Sequence, residues 1–421
     1  MEKTYEIADE IERVILVGVS TYVNDDTEES LEELKDLVKT AGAEVLATVI
    51  QNREAVHSGT YIGKGKIEEI KVLIDELGAT GIVCDDELSP AQLRNLRDML
   101  DIKVMDRTLV ILDIFAKRAT TGEGKIQVEL AQLKYRQSRL TGLGKSLSRL
   151  GGGIGTRGPG EKKLEMDRRL IKDRIAVLKK EIEDMKTHRE LSRRKRSSAP
   201  GMVISIVGYT NAGKSTLLNE LTGASVIEED KLFATLDPTT RSYKLESGQE
   251  IMLTDTVGFI RKLPHHLIDA FRSTLEEAKY ADILIHVVDA SNPQMDKQMH
   301  TVYKTLEDLG VTDKTIITVF NKQDKVLENV KANGGTELPV FRDFKADYTM
   351  NATIKKHEGF DTLLSYIEEI IRNQRIFISR VFEYSRAGEI QRIRKYGELI
   401  KEEYREDGIY VEAFVPIEII N

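Results

Sequence analysis

The sequence predicts an α/β protein in which two regions of alternating strands and helices flank a long helical hairpin, with a small α+β region at the end. Three observations predict it. Short apolar runs alternate with helical patterns over residues 1–115, the same alternation resumes over 202–372, and between them the periodicity stays helical for tens of residues. Strands spaced by helices imply parallel sheets, because each crossover needs a helix to return the chain to the same edge.

In the first region the apolar runs 14–18, 43–49, 81–84 and 103–105 read as strands. Residues 31–40, 66–77 and 89–100 read as helices, the last with Ser89 as N-cap and Pro90 at its first position, where a missing N–H costs nothing. From residue 109 the pattern is helical, through 127–135 and again through 162–191. Between these helices, 141–161 holds eight glycines, three basic residues and one proline. That composition predicts a mobile basic loop, since glycine disfavours a helix and offers nothing to bury. Residues 193–200 read as a linker. Strands follow at 203–207, 251–254, 283–288 and 315–320, and the strands 376–379 and 409–415 flank an amphipathic helix near 387–404. The expected domains are an N-terminal small parallel α/β domain (1–115), a basic helical hairpin and linker (116–199), a second α/β domain (200–372) and a small C-terminal α+β domain (373–421). No internal repeat of fixed period is present.

With 421 residues, 40% hydrophobic and 31% charged, the chain has globular composition and length for about three domains. No apolar stretch approaches the ~20 residues needed to cross a bilayer, and residues 1–12 are acidic rather than basic-then-apolar as a secretory signal would be. The single cysteine, Cys84, excludes an intramolecular disulfide framework and a Cys-based metal cluster. The chain reads as a soluble, cytoplasmic monomer, with peripheral membrane association as an alternative. Its net charge of −8 hides an asymmetry: residues 118–199 carry 22 Lys and Arg against 10 Asp and Glu. A basic segment in an acidic protein suggests a polyanion partner, nucleic acid foremost, and a solvated helical hairpin is the plainer alternative.

Gly208-Tyr209-Thr210-Asn211-Ala212-Gly213-Lys214-Ser215 is a complete phosphate-binding loop, preceded by a β-branched strand and continued by a helix through Thr216. Its glycines let backbone N–H groups curl around phosphates at a helix N-terminus. Lys214 is expected to reach the β and γ phosphates, and Ser215 to hold Mg²⁺. Asp255-Thr256-Val257-Gly258 ends a strand, which suits a carboxylate serving Mg²⁺ and a glycine amide facing the γ-phosphate. Asn321-Lys322-Gln323-Asp324 follows another strand. There Asp324 can accept from guanine N1–H and N2–H₂, whereas adenine would leave the acceptor unpaired at a cost of about 1–3 kcal/mol. The order of the three motifs is that of a GTPase. In the first switch, Thr235 is the expected threonine ligand of Mg²⁺ and Thr239 the reserve. The last guanine-contacting loop is matched to Asn351-Ala352-Thr353, with the Ala352 N–H as donor to guanine O6; a plain strand-to-helix turn is the alternative.

With these motifs in place the sequence resembles the HflX family of translation-factor-class P-loop GTPases, over essentially the whole chain. Phe233-Ala234-Thr235-Leu236-Asp237-Pro238-Thr239 and Asp255-Thr256-Val257-Gly258-Phe259 resemble the family's two switches. Gly59-Thr60-Tyr61-Ile62-Gly63-Lys64-Gly65-Lys66, Gln127-Val128-Glu129-Leu130-Ala131-Gln132-Leu133 and Gly158-Pro159-Gly160-Glu161 resemble its markers ahead of the GTPase domain. The resemblance implies a GTPase that binds GTP, GDP and Mg²⁺, associates with the large ribosomal subunit and the 70S ribosome, and separates stalled or idle ribosomes into subunits. Two alternatives stand beside it: a GTPase of large-subunit assembly, and a nucleotide-gated binding module with little turnover.

Two residues refine the expected chemistry. Asn211 lies three residues before Lys214, where potassium-dependent relatives in this GTPase class place an asparagine that ligates the ion, so K⁺ is a candidate cofactor; an asparagine bracing the loop is the alternative. Phe259 occupies the position where many GTPases orient water with glutamine. It has no donor or acceptor, so slow intrinsic hydrolysis and stimulation by the large subunit are expected.

Overall fold

The computed structural model describes residues 11–21, 26–147, 159–196, 202–223, 232–233, 236–262 and 277–416. The chain forms two compact units: Met1–Glu183 with Lys231–Phe233 and Arg261–Phe271, and Asp184–Asp230 with Ala234–Ile260 and Arg272–Asn421.

The first unit is built on a parallel sheet of β1 (Arg13–Thr21), β2 (Glu44–Arg53), β3 (Gly81–Cys84) and β4 (Lys103–Asp106), in the order β2-β1-β3-β4. Residues 14–20 of β1 are all buried, as a central parallel strand covered on both faces must be. Ile15, Val17 and Val19 pack with Ile67, Ile70 and Ile74 of α2 (Lys64–Leu77) and Leu96 and Leu100 of α3 (Pro90–Leu100). α1 (Thr27–Ala41) and α4 (Arg107–Arg118) pack on each other. Gly18 admits α1 closely, since a Cβ there would sit 2.7 Å from Leu31 Cδ1. Ser89 is the N-cap of α3, as its sequence predicts, and it forms a reciprocal capping box with Gln92.

Asp106, at the end of β4, is a hub. Its Oδ1 accepts from Leu109 N–H at 2.9 Å, capping α4, and from Tyr135 O–H at 2.8 Å. Its Oδ2 accepts from Leu88 N–H at 3.1 Å and from Arg139 Nη2 at 2.6 Å. Tyr135 and Arg139 belong to α5 (Gly122–Leu147), so one carboxylate joins the sheet, α4 and α5. α6 (Pro159–Arg196) pairs with α5 through Leu130, Ile175 and Leu178, and through the two-pronged Arg174–Glu129 bond at 2.7 and 2.9 Å. The fully buried Arg107 donates to Asp85, Glu33, the Ser30 carbonyl and hydroxyl, and the Arg261 carbonyl. Lys262 of the same unit pairs with Asp85 and with Asp86.

The second unit holds a six-stranded sheet ordered β10-β9-β8-β5-β7-β6. β5 (Met202–Gly208), β7 (Glu250–Asp255), β8 (Ile283–Asp289), β9 (Thr315–Asn321) and β10 (Tyr348–Asn351) are parallel, and β6 (Thr239–Lys244) runs antiparallel along β7. Helices α7 (Lys214–Thr222), α8 (Met295–Asp308), α9 (Gln323–Ala332) and α10 (Phe360–Asn373) cover it. The C-terminal part is an antiparallel sheet of β11 (Arg375–Phe382), β12 (Glu398–Arg405) and β13 (Gly408–Pro416), ordered β11-β13-β12, with α11 (Ala387–Tyr396) packed through Ile390 and Ile393.

Three expectations change. The helix expected over 387–404 ends at Tyr396, and 398–405 forms the edge strand β12, because Gly397 turns against the backbone (a Cβ would meet Phe414 O at 2.8 Å) and β13 supplies pairing partners. α5 continues through 141–147 despite its glycines, and α6 includes 193–196, which the basic run predicted as linker. β6 was unread because its polar residues carry no apolar run. Residues 148–158, within the predicted basic loop, and residues 197–201 lie outside the described residues. No helix among those described is long and apolar enough to cross a membrane.

Candidate nucleotide site

The phosphate loop turns between β5 and α7 at three positive-φ positions, Gly208 (152°), Asn211 (60°) and Gly213 (107°). Two of them are glycine for want of space: a Cβ on Gly208 would lie 2.3 Å from Val287 O, and one on Gly213 would lie 2.4 Å from Asn321 Nδ2. The turn leads into the N-terminus of α7, and a helix N-terminus favours anions. Ser215 and Thr216 follow in the first turn of α7.

Lys214 is 6% exposed and donates to Tyr209 O at 2.8 Å. Burial pulls its ammonium down to about 8, and Asp255 only partly opposes the shift. A buried cation resting on a neutral carbonyl is poised for an anion. Asp255 is fully buried at the end of β7, and Ser215 Oγ donates to its Oδ2 at 2.7 Å. Thr256 Oγ1 donates to Ile206 O and pins the next residue to β5. Beyond it Gly258 lies against the loop, where a Cβ would meet Thr210 Cγ2 at 2.8 Å and Lys214 Nζ at 3.0 Å. Phe259 is 2% exposed, and its backbone pairs with the loop: its N–H donates to Gly208 O at 3.1 Å and its carbonyl accepts from Thr210 N–H at 2.9 Å.

The base-reading tetrad is fastened to the same loop. Asn321 Nδ2 donates to Ala212 O at 2.9 Å, and its Oδ1 accepts from Ile354 N–H at 3.1 Å. Lys322, itself at φ 63°, donates to Asn211 O at 2.8 Å and to Asp289 Oδ2 at 2.6 Å. Asp324 lies in the first turn of α9, half-buried, 4.0 Å from Lys356 Nζ. The structure therefore brings together Gly208 to Ser215, Asp255, Gly258 and Asn321 to Asp324.

The remaining candidates are placed differently. The Ala352 N–H, expected to face guanine O6, donates instead to Phe320 O at 2.9 Å, because Asn351 still pairs with β9 and Ala352 continues the ladder. Thr353 exchanges backbone bonds with Glu358. Thr239, the reserve threonine, sits in β6 opposite Asp255, whereas Thr235 lies outside the described residues. Lys64 and Lys66 belong to the first unit, where Gly63 N–H donates to Gln51 Oε1 and Lys66 pairs with Glu69.

Residues 28–116 match the family described as GTP-binding GTPase N-terminal, 118–196 the GTP-binding GTPase middle region, and 203–322 the 50S ribosome-binding GTPase family. Across 419 residues the chain is 64% identical to GTPase HflX of Lacrimispora saccharolytica, covering 100% of this chain and 97% of that one. The chain belongs to the HflX family of GTPases. It is also 49% identical to GTPase HflX of Caldanaerobacter subterraneus subsp. tengcongensis, over 98% of this chain and 93% of that one. Among solved structures it is similar to a GTP-binding protein from the archaeon Sulfolobus solfataricus in complex with GDP (27% identity, 85% of this chain and 98% of that one, TM-score 0.44). As an HflX-family GTPase it is a GTP phosphohydrolase. The sequence reading did not include Asp289, whose carboxylate faces Lys322 of the tetrad. The available signal was a carboxylate at the C-terminal end of a parallel strand, where α/β sheets place ligands.

Proposed function

We propose that this GTPase acts in the cytoplasm as a monomer, binds the large ribosomal subunit and the 70S ribosome, and couples its nucleotide state to the separation of the subunits. One observation carries the reading: residues 203–322 match a family described as 50S ribosome-binding GTPases, in a chain whose segment 118–199 holds 22 basic against 10 acidic residues. That segment supplies the charge to hold ribosomal RNA phosphates.

Within the site, the amides of Gly208 to Gly213 surround the phosphates, and Lys214 exchanges a neutral carbonyl for their charge. The Ser215 hydroxyl and Asp255 carboxylate converge at 2.7 Å, a pair of hard oxygen donors that fits Mg²⁺, with Thr235 as the proposed third protein ligand. Held by Ser215, Asp255 and Thr235, Mg²⁺ would supply positive charge against that developing on the phosphates. The Gly258 amide donates to the γ-phosphate once the Phe259 backbone leaves the loop. Asp324 accepts from guanine N1–H and N2–H₂ while Asn321 keeps the tetrad on the loop. The Phe259 ring offers no polar atom to the attacking water, so ordering of the switches on the large subunit supplies the missing positioning; each ~1.4 kcal/mol so gained is tenfold in rate. The exposed Asn211 side chain is the proposed K⁺ ligand; equal hydrolysis rates in KCl and NaCl would remove it.

Sedimentation of 70S particles with the full chain and GTP tests the function. New subunit peaks that are absent with GDP are expected. Binding to large subunits without any splitting of 70S particles would favour the assembly role instead.

A further inference from the structure

Asp289 lies outside every motif, yet both oxygens of its carboxylate are committed. Oδ1 accepts from Ser291 N–H at 3.0 Å and Ser291 Oγ at 2.6 Å, which closes the turn after β8 and sets the orientation of the carboxylate. Oδ2 then faces Lys322 Nζ at 2.6 Å. The same ammonium donates to Asn211 O in the phosphate loop at 2.8 Å. The turn is also tied to the tetrad backbone, since Ala290 N–H donates to Asn321 O at 3.0 Å. Among the described residues, Asp289 is the one carboxylate in ion-pair range of Lys322. Lys322 is held with φ at 63°, a conformation that a non-glycine residue keeps only when its surroundings over-determine it. A continuous set of bonds thus runs from Ser291 through Asp289 and Lys322 to Asn211, joining the three loops that follow β5, β8 and β9 at the C-terminal ends of these parallel strands.

We propose that Asp289 is a positioning residue for guanine nucleotide: its carboxylate seats the Lys322 ammonium on the Asn211 carbonyl and fixes the base-reading tetrad against the phosphate loop before nucleotide enters. This rests on the reading of Asn321 to Asp324 as the base site. Order set in advance is order the nucleotide need not impose, so it shows as tighter binding. The set of bonds does not include Gly258 or Phe259, so GDP and GTP should benefit alike. Slow nucleotide release is the expected signature, because loss of such contacts acts mainly on dissociation.

The test is stopped-flow dissociation of fluorescently labelled GDP, and of a labelled non-hydrolysable GTP analogue, from the full chain. Asp289→Asn keeps an acceptor for Ser291 and removes the charge facing Lys322. Both dissociation rates should rise about tenfold, the scale of one charge-assisted hydrogen bond. KM for GTP should rise in proportion, with kcat changed less than twofold. In a Lys322→Met background the same substitution should change dissociation less than twofold. Asp289→Glu, which keeps the charge, should stay within about threefold of the wild type, and it keeps the test alive if Asp289→Asn folds poorly. Unchanged dissociation in Asp289→Asn overturns the proposal, as does an equal effect with and without Lys322, which would make Asp289 a turn former only. If ATP competes equally with GTP for the wild-type chain, the base-site reading falls, and the proposal with it.

Discussion

Among the described residues each unit buries one Lys or Arg, and the two are treated in opposite ways. Arg107 in the N-terminal unit is 1% exposed and meets two carboxylates, Asp85 and Glu33, together with Ser30 and the Arg261 carbonyl. Burial alone would pull its pKa down, but those carboxylates hold it above the usual arginine value. Lys214 in the nucleotide unit is 6% exposed and rests on a neutral carbonyl, with its pKa pulled down to about 8. A buried charge whose partners neutralise it is scaffold; one left electrostatically short marks where an anion binds.

The comparison can be broken most directly at Arg107. Replacing it with methionine removes the guanidinium shared by Asp85 and Glu33 and leaves Lys262 alone to offset the buried Asp85, and should destabilise the protein by about 3–5 kcal/mol. Urea unfolding would measure this, and a loss below about 1 kcal/mol would show that the network is not scaffold. The matching change, Lys214→Met, should leave the nucleotide-free protein as stable as the wild type or more so. It should nevertheless cut single-turnover GTP hydrolysis by about 10²–10³-fold. Loss of stability with hydrolysis intact would reverse the two roles.

A pH series sharpens the same contrast. Lys214 titrates near 8 when folded and near 10.5 when unfolded, so below pH 8 it is charged in both states and its burial penalty is fully present. Between about 8 and 10.5 the unfolded chain holds a proton that the folded chain has lost, so stability rises with pH, by about 3 kcal/mol in all. The difference between wild type and Lys214→Met, followed by unfolding at fixed pH, should show that rise in the absence of nucleotide. Asp85 behaves in the opposite sense. Burial raises its pKa, but Arg107 and Lys262 outweigh burial and lower it below 3.8. Its contribution is therefore present above that pH and is lost as pH falls through the lower folded value. The smallest effect is expected at Ser30, which donates to Asp85 at 2.7 Å and accepts from Arg107. Ser30→Ala should cost about 1 kcal/mol in the same unfolding assay.

Legibility in the sequence followed the same division. Gly208, Gly213 and Gly258 were readable because each occupies a place where a Cβ would strike backbone or a site side chain. The parallel sheets were readable from their apolar runs. For Asp289 only its place at a strand's C-terminal end was legible; its partner was not, since an ion pair to a residue 33 positions away leaves no local pattern. Nor was β12: its sequence Glu-Leu-Ile-Lys-Glu-Glu-Tyr-Arg has the composition of an exposed helix, and only pairing with β13 makes it a strand. The bond of the Ala352 amide to Phe320 O was not legible because the loop motif does not say where the β-ladder stops.

Asp106 carries a mechanical consequence. α5 has 26 residues, which at 1.5 Å per residue is about 39 Å of helix, and the bonds from Tyr135 and Arg139 to this one carboxylate lie midway along it. They act as a fulcrum on a long arm. Tilting the roughly 18 Å of helix beyond Tyr135 by about 10° would swing its end by roughly 3 Å, while each bond at the pivot lengthened by only a fraction of that. A load applied far out on the hairpin would thus reach the sheet as torque on β4, one residue from Arg107.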